Sequence, residues 1–461
     1  MTHSTRPRIG ILGLLLDAYK PLFPGIQEEQ EGFVRRVLDE LGDDVEAVFP
    51  GAATSRQSIE ETVRGFEADG MDGIVILMLS YAPAQHVVRA ARDTTLPIAL
   101  ALVQPDERVA FDIEERALTV NQGIHGAQDV ANTLRRSGVS IEHFAGPRSA
   151  LPVFVRDFGA VARARSRARR MRIGAIGALP GMGDILIDEL ALMRDLGPHV
   201  TRHAVGELHP FLANLSEEEV DAVVERDGAA FDVDPALAGA DHRDAVRLHL
   251  ALRAWLEHNG LHGYTAHYED FGADGRFRQL PLLAASHLLA EGYGYAAEGD
   301  VMAAVLVTTF IDLFGEADFS EMYMMDLEND AILFCHAGEG NWRMAAQRPR
   351  LIDRVLTEGG LENPPTPIFT LRPGRATVAS LVHDGADRWR LVCASGDMLE
   401  RADLTRCEMP YFFFRPDAGA AATAEGWLRA GGAHHQAVVL GEQRARLEMW
   451  CRVNDVELVT V

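Results

Sequence analysis

The sequence predicts an α/β protein in which regions of parallel sheet precede a module of antiparallel strands. Its 461 residues suggest about three domains, at ~150 residues per domain. The front part alternates continuous apolar strands with amphipathic helices, which is typical of parallel sheets covered on both faces. From residue 317 the helices become scarce and short β runs take over, which indicates a mostly antiparallel, barrel-like module. We expect domains at 1–170, 171–316 and 317–461.

Composition and charge exclude several classes of protein. The chain is 47% hydrophobic and 24% charged, as in ordinary globular proteins, and no run approaches the ~18 apolar residues of a membrane span. Asp17 and Lys20 interrupt the apolar N-terminal run, which we interpret as a first strand and not as a signal peptide. A formal net charge of −24 disfavours nucleic acid and anionic membranes as partners. We expect a cytoplasmic protein.

The first domain begins with strand and helix signals in regular succession. RIGILGLLL is a strand, and the helical pattern after it ends at Gly42, a favoured C-terminal residue. A second helix has Ser55 or Ser58 as its cap. No GxGxxG motif follows a strand, which argues against a dinucleotide. His125 lies among small residues just before a helical pattern, where a histidine usually has no chemical role.

The second domain repeats the cycle of strands and helices. The glycine-rich turn 177–183 lies between a strand and a helix, so its amides could bind an anion, although a structural turn is the commoner case. Residues 242–260 form an amphipathic helix that ends at Gly260. We expect a short strand through 261–271, carrying Tyr268, and then a helix that leads to Glu298.

The third domain opens with two apolar runs that predict a β-hairpin. EMYMMDL begins at Glu321, and AILFCH ends at His336. A two-residue loop at Glu328 and Asn329 would place Glu321 opposite His336, with Cβ atoms roughly 5 Å apart. Such a pair could provide two ligands of one divalent metal, although a surface ion pair is the more frequent arrangement.

Further β runs follow the hairpin, up to a last pair that ends EMWCRVNDVELVTV. One helical segment interrupts them, ends at Gly431 and Gly432, and is followed by His434 and His435. Adjacent residues face different directions, so we expect at most one of these two histidines to point into any given site.

Two glutamates and two histidines, spread along the chain, form a candidate ligand set: Glu298, Glu321, His336 and His435. Mixed carboxylate and imidazole ligation suits Mn²⁺, Fe²⁺, Co²⁺ or Zn²⁺ and leaves coordination positions for a bidentate oxygen substrate. The absence of cysteine from the set argues against a structural zinc site.

At these motifs the chain resembles the L-arabinose isomerases of the L-arabinose/L-fucose isomerase superfamily. The motifs are NQGIHG, YED, RQLP with GYGYAAEGD, FSEMY, CH, ATVASL and EGWLRAGGAHH, in that order over most of the chain. The resemblance implies two Rossmann-like, doubly wound domains followed by a C-terminal β-barrel. It also implies an aldose–ketose isomerase that uses Mn²⁺, or another ion such as Co²⁺ or Fe²⁺, assembled as a trimer or hexamer with pockets at subunit interfaces.

The resemblance also implies roles for individual residues. Glu298, Glu321, His336 and His435 match the metal ligands, and the two glutamates would also transfer protons between C1 and C2 of the sugar. Three further residues match substrate-pocket positions: His125, which reaches a neighbouring subunit's pocket, Met182 and Tyr268.

The chain departs from the family pattern at expected pocket walls. Asp300 is followed by Val301 and Met302 where the family continues GDWK, and AGEGNW follows His336. The N-terminal GLLLDAYK also lacks the usual SQHLYG. The sugar is therefore left open. Two alternatives are a sugar-binding paralogue without turnover and a metal-dependent epimerase or hydrolase acting on a carbohydrate.

Overall fold

The computed structural model describes residues 6–356, 360–385 and 388–461 and groups the chain into two compact units. One unit comprises Met1–Arg167 and Glu448–Asp455, and the other comprises Ala168–Leu447 and Val456–Val461. Within the described ranges, none of the helices is both long enough and apolar enough to cross a membrane. The division into three domains stays a prediction.

The first unit contains a parallel sheet of six strands. The strands are β1 (Arg8–Leu14), β2 (Glu46–Val48), β3 (Ala52–Ala53), β4 (Gly73–Met78), β5 (Ile98–Leu102) and β6 (Glu142–Ala145). They lie in the order β2-β1-β4-β5-β6, and β3 pairs with β1. The helices are α1 (Tyr19–Leu22), α2 (Ile26–Leu41), α3 (Arg56–Ala68), α4 (Gln85–Asp93), α5 (Glu115–Val120), α6 (Gly123–Arg136) and α7 (Leu151–Ala168).

Two predicted helix boundaries in this unit are confirmed. Helix α2 ends at Leu41, and Gly42 follows with a φ of 63°, a conformation that costs glycine little. Ser55 caps α3, and its side chain and that of Ser58 satisfy each other's backbone amides in a capping box.

The second unit begins with a four-stranded parallel sheet. Its first strands are β7 (Arg172–Ile176), β8 (His199–His203), β9 (Asp232–Val233), β10 (Gly263–Ala266) and β11 (Gly294–Ala297), and the sheet order is β11-β10-β7-β8. The helices are α8 (Glu189–Asp195), α9 (His209–Ala213), α10 (Glu217–Ala230), α11 (Gly239–Asn259), α12 (Tyr268–Asp274), α13 (Leu282–Glu291) and α14 (Val301–Phe314). The strand predicted through Tyr268 is therefore wrong beyond Ala266, because Tyr268 begins a helix.

The remainder of the second unit contributes strands to two further sheets, a mixed one of seven strands and one of three that includes β9. Its strands are β12 (Asp318–Asp326), β13 (Ala331–Cys335), β14 (Arg350–Asp353), β15 (Pro365–Ile368), β16 (Gly374–His383), β17 (Trp389–Met398), β18 (Tyr411–Pro416), β19 (His435–Leu440) and β20 (Val456–Thr460). Six strands pair antiparallel in the order β16-β19-β12-β13-β18-β17, and β17 pairs again with β16. Strand β20 joins β17 in parallel, whereas β14 pairs with β9 and β15.

Two helices interrupt these strands along the chain, α15 (Ala420–Ala430) and α16 (Arg444–Asn454), and from Glu448 onward α16 belongs to the first unit. The last predicted pair of strands is therefore wrong in its first member, since EMWCRVN is helical. The described ranges also contain short 3₁₀ helices at Gly42–Asp44, Arg148–Ala150, Val205–Leu208 and Trp342–Met344.

Helix α14 connects the four-stranded parallel sheet of the second unit with its seven-stranded mixed sheet. Its sequence, VMAAVLVTTFIDLF, is apolar on all sides, as expected for a helix buried all round. It packs against β10 and β11 of the parallel sheet and against β16 and β19 of the mixed sheet. The residues just before α14 and those at the start of β19 are therefore held to one rigid element.

Candidate active site

Glu298 lies at the carboxyl end of β11, the edge at which parallel sheets bind their ligands. Its φ is 63°, a left-handed conformation that costs a residue with a side chain on the order of 1 kcal/mol. Its backbone amide donates to Ala266 at 2.9 Å, and its carbonyl accepts from Leu179 at 2.8 Å. At Gly299, with a φ of 88°, a Cβ would lie 2.4 Å from Ala178. The turn that presents Glu298 is thus fixed on both sides.

Asp300 connects this turn to a histidine of the mixed sheet. Its Oδ1 accepts from the amide of Ala303 at 2.9 Å and so caps α14, while its Oδ2 lies 2.9 Å from Nδ1 of His435. His435 is 1% exposed. A carboxylate on Nδ1 orients the ring and leaves Nε2 available, the usual arrangement behind a metal-binding histidine.

His336 follows β13 and has a buried acidic neighbour. Its Nδ1 lies 3.2 Å from Oε1 of Glu339, outside hydrogen-bond alignment, and Tyr295 donates to the same oxygen at 2.8 Å. Burial raises the pKa of Glu339, but His336 and Tyr295 outweigh it and bring that pKa to about 2. The Glu339 carboxylate therefore stays ionised beside the imidazole.

Glu321 does not lie opposite His336, so the predicted register of the hairpin is wrong at that end. Met325 pairs with Ile332 as expected, but a bulge between Met322 and Met324 shifts the register by one residue. Glu321 then pairs with Cys335 on one side. On its other side it pairs with His435 of β19, which is how its side chain reaches the site.

The predicted ligand residues converge in two overlapping groups. Ligand atoms of Glu298, His336 and His435 all lie within 4.8 Å of one another, and so do those of Glu321, His434 and His435. Oε2 of Glu298 is 3.6 Å from Nε2 of His435, and that nitrogen is buried without a hydrogen-bond partner in the described chain. Metal–ligand bonds of about 2.1 Å place the ligand atoms of one ion roughly 3–4 Å apart. The donors present therefore fit a divalent cation.

His434 also faces this group, contrary to the expectation that only one of the two histidines would. Its Nε2 lies 3.8 Å from Oε2 of Glu298, and its Nδ1 lies 2.7 Å from Oδ2 of Asp184. The neighbouring His434 imidazole lowers the pKa of Glu298, burial raises it, and His435 and His336 lower it further. The net result is a pKa of Glu298 below its ordinary value. Glu298 is therefore ionised at neutral pH.

A cavity of about 270 Å³ opens beside these groups. This volume is slightly below the ~300 Å³ at which small-molecule pockets begin and suits one small, polar ligand. Its walls include Tyr268, Glu298, Glu321 and His336. Other lining residues are Phe271, Leu282, Tyr295, Glu339, Arg354, Leu356 and Met409.

Met182 and His125 lie outside this cavity. Met182 lines a separate cavity of about 350 Å³ formed by the glycine-rich turn, Arg202 and Gly299. His125 belongs to the first unit, where it is exposed on α6 and stacks on Tyr81 at 5.2 Å between ring centroids. Their predicted pocket roles stay predictions.

Sequence reasoning assigned no role in the site to four polar residues: Asp300, Glu339, Arg354 and His434. Asp300 has a detectable signal, because an aspartate directly before an apolar helix predicts an N-cap. Its contact with His435, 135 residues later, has no signal in a single sequence. Glu339 and Arg354 can be recognised as residues of the site only from packing in the folded chain.

Replacement of Asp300 by asparagine is expected to weaken divalent-metal binding by about 10- to 100-fold, because the His435 ring loses its orienting carboxylate. Asparagine remains a good helix cap, so the stability of α14 should be nearly unchanged. Titration of the metal-free variant with Mn²⁺ by calorimetry measures the effect. Asp188→Asn, at the cap of α8, is the matched control. Equal affinity of Asp300→Asn and the unmodified protein would remove the positioning role.

This chain matches family models and curated relatives that are named L-arabinose isomerases. The L-arabinose isomerase central domain matches residues 188–316, and the L-arabinose isomerase C-terminal domain matches residues 316–457. The chain is 26% identical over 453 residues to an L-arabinose isomerase of Clostridium beijerinckii, covering 95% of this chain and 91% of that one. It is 27% identical over 451 residues to that of Geobacillus stearothermophilus, covering 92% and 89%.

A third relative, the L-arabinose isomerase of Acidothermus cellulolyticus, is 28% identical over 452 residues, covering 94% of this chain and 89% of that one. Among solved structures, a periplasmic solute-binding protein of Actinobacillus succinogenes with bound D-allose is similar at a TM-score of 0.18 and 11% identity, covering 68% of this chain and 92% of that one. That score is too low to support any inference about the fold.

Proposed function

Since this chain belongs to the L-arabinose isomerase family and is an aldose–ketose isomerase, an intramolecular oxidoreductase, we propose that it works on an open-chain sugar by metal-dependent proton transfer through an enediol. The observation that carries the proposal is the convergence of Glu298, His336 and His435, with Glu321 joined through His435, beside a cavity of sugar size.

Glu298, Glu321, His336 and His435 are the proposed ligands of a divalent ion, with Mn²⁺ as the expected metal and Co²⁺ or Fe²⁺ as substitutes. A bound divalent ion would supply Lewis acidity to the sugar's carbonyl oxygen and so favour loss of the proton from C2, the carbon next to the carbonyl. The buried, unpartnered Nε2 of His435 supports this assignment, since an imidazole nitrogen rarely stays buried without a partner.

The two glutamates then act as a complementary pair of base and acid. In this scheme Glu298 is the base that takes the proton from C2 of the aldose, while Glu321 is the acid that gives a proton to O1. The resulting enediol receives the first proton back from Glu298 at C1. Glu321 recovers its proton from the hydroxyl on C2, which becomes the ketone. Both side chains end as they began, so the cycle balances.

The proposal is tested by incubating the metal-loaded protein with aldoses and ketoses and following the products by NMR. L-arabinose is the first aldose to test, because the relatives are named L-arabinose isomerases. Conversion between an aldose and its ketose supports the proposal. Products inverted at one carbon would identify an epimerase, and cleaved glycosides would identify a hydrolase.

Turnover in deuterated water is expected to place deuterium on C1 of the ketose, because the proton held by a carboxylate exchanges with solvent before it returns. Mass spectrometry of product at low conversion measures this incorporation. Product that contains no deuterium would count against a carboxylate that exchanges its proton with solvent and would favour direct transfer of hydrogen from C2 to C1.

The finer features of the family belong to the same proposal. They are two Rossmann-like domains followed by a C-terminal β-barrel, and a trimer or hexamer with pockets between subunits. In such an assembly His125 would enter a neighbouring subunit's pocket, and Tyr268 and Met182 would contact the sugar. The closed succession of pairings among β16, β19, β12, β13, β18 and β17 supports the barrel.

A further inference from the structure

Arg354 is a buried cation in the wall of the active-site cavity. It directly follows β14, is 8% exposed and lines the same cavity as Glu298 and Tyr268. Its Nη1 is fully buried and has no hydrogen-bond partner among the residues that the structure describes. Within the same ranges no carboxylate forms an ion pair with it. The enzyme chemistry proposed above does not use this residue.

A buried guanidinium such as that of Arg354 is unstable without a counter-charge. Removing a charge from water costs several kcal/mol even after relaxation of the protein, and arginine cannot escape this cost by losing its proton. A buried arginine is therefore normally paired. Nη1 itself is closed off from the cavity, but other atoms of the Arg354 side chain line it. A ligand that fills the cavity could therefore supply the counter-charge that the described residues do not.

The backbone around Arg354 is shaped to hold the guanidinium in place. A Cβ at Gly338 would lie 2.9 Å from Nη1, 2.8 Å from Leu282 and 2.9 Å from Thr366, and the φ of 141° disfavours any other residue there. Gly338 lies between His336 and Glu339, so the segment that carries the proposed metal-binding histidine also receives the guanidinium. One ligand can therefore reach both.

We propose that the substrate is a sugar acid, an aldose or ketose that carries a carboxylate, and that Arg354 binds this carboxylate. The inference rests on the proposed function, whose substrate class it narrows. A guanidinium binds a carboxylate through two parallel hydrogen bonds, stronger than those to a neutral hydroxyl. A phosphate would bring up to two negative charges toward Glu298, Glu321 and Glu339 against a single cation, so a carboxylate fits better.

The test uses three sugars that differ only at C6 and share the configuration of L-arabinose at C2 to C4: D-galactose, D-galacturonate and D-galactose 6-phosphate. Their affinities for the metal-free protein are measured by calorimetry, and KM and kcat are measured with the metal-loaded protein. We expect D-galacturonate to bind most tightly. Arg354→Met should weaken its binding by on the order of 10- to 100-fold and leave that of D-galactose unchanged.

Two further variants keep the result interpretable. Arg354→Lys retains the charge and should retain a preference for the uronate over D-galactose, which also covers the case in which Arg354→Met fails to fold. Arg350 lies at the exposed start of β14, the strand that precedes Arg354, and Arg350→Met should leave all three affinities unchanged.

Equal binding of D-galactose and D-galacturonate, with no effect of Arg354→Met, would overturn the inference while leaving the isomerase proposal intact. Tightest binding of D-galactose 6-phosphate would overturn the choice of carboxylate. Uronate binding that depends on Arg354, without isomerisation of any sugar, would uphold the binding of a carboxylate by Arg354 but refute the proposed function and, with it, the role of the sugar acid as substrate.

Discussion

Replacement of Glu298 or Glu321 by glutamine is expected to lower kcat by about 100- to 10,000-fold, the usual contribution of a positioned acid or base. Glutamine keeps the shape of the side chain but neither accepts nor gives up a proton under these conditions. Rates are measured by NMR on the sugar that the unmodified protein converts. The two single variants and the double variant should be similarly inactive, because each half of the acid–base pair needs the other.

The controls for this prediction separate chemistry from folding and from metal loss. Glu328→Gln alters an exposed glutamate in the turn of the same hairpin and should leave kcat unchanged. Thermal unfolding and metal content are compared for all variants. A Glu298→Gln or Glu321→Gln protein that is folded, holds metal and turns over at a near-native rate would refute the acid–base assignment.

The general architecture could be predicted from the sequence because it is encoded locally. Continuous apolar strands separated by amphipathic helices indicated the parallel sheets, and terminators such as Gly42 marked helix ends within a residue. The change to short strands after residue 317 indicated a different sheet. That sheet is mixed, since the parallel pairing of β20 depends on which strand it meets, and nothing in its own sequence determines this.

The details of the site were harder to predict because they depend on register and packing. The bulge beside Tyr323 moves Glu321 from His336 to Cys335, and no turn signal foretells a bulge within a strand. Tyr268 was expected on a strand because apolar and aromatic residues surround it, yet the helix begins there, directly after the sheet ends. Local preference gave way to tertiary structure at that position.

At His434 and His435 the sequence and the structure provide complementary information. Sequence reasoning identified the pair and, through the resemblance, chose His435. It could not foresee that both imidazoles approach Glu298, with ring centroids 3.8 Å apart and ring planes tilted by 39°. His434 is also tied to Asp184 in the segment after β7, a contact between residues 250 positions apart.

Replacement of His435 by asparagine is expected to weaken the binding of Mn²⁺ or Co²⁺ by at least about 100-fold and to abolish turnover. The loss of affinity should exceed that caused by removing the orienting carboxylate of Asp300, because a ligand itself is removed. Asparagine can still hydrogen-bond Asp300 in place of Nδ1, but it lacks an atom at the position of Nε2, which is the nitrogen near Glu298. Metal affinity of the metal-free variant is measured by calorimetry or by the absorption of bound Co²⁺.

His383 provides the matched control for this prediction, because it lies in the same sheet and its Nε2 is also buried without a hydrogen-bond partner in the described chain. His383→Asn should alter the stability of the fold but not its affinity for metal, since no ligand group converges on that ring among the described residues. If His435→Asn binds the ion as tightly as the unmodified protein, the convergence of Glu298, His336 and His435 has another purpose, and the metal-dependent mechanism fails.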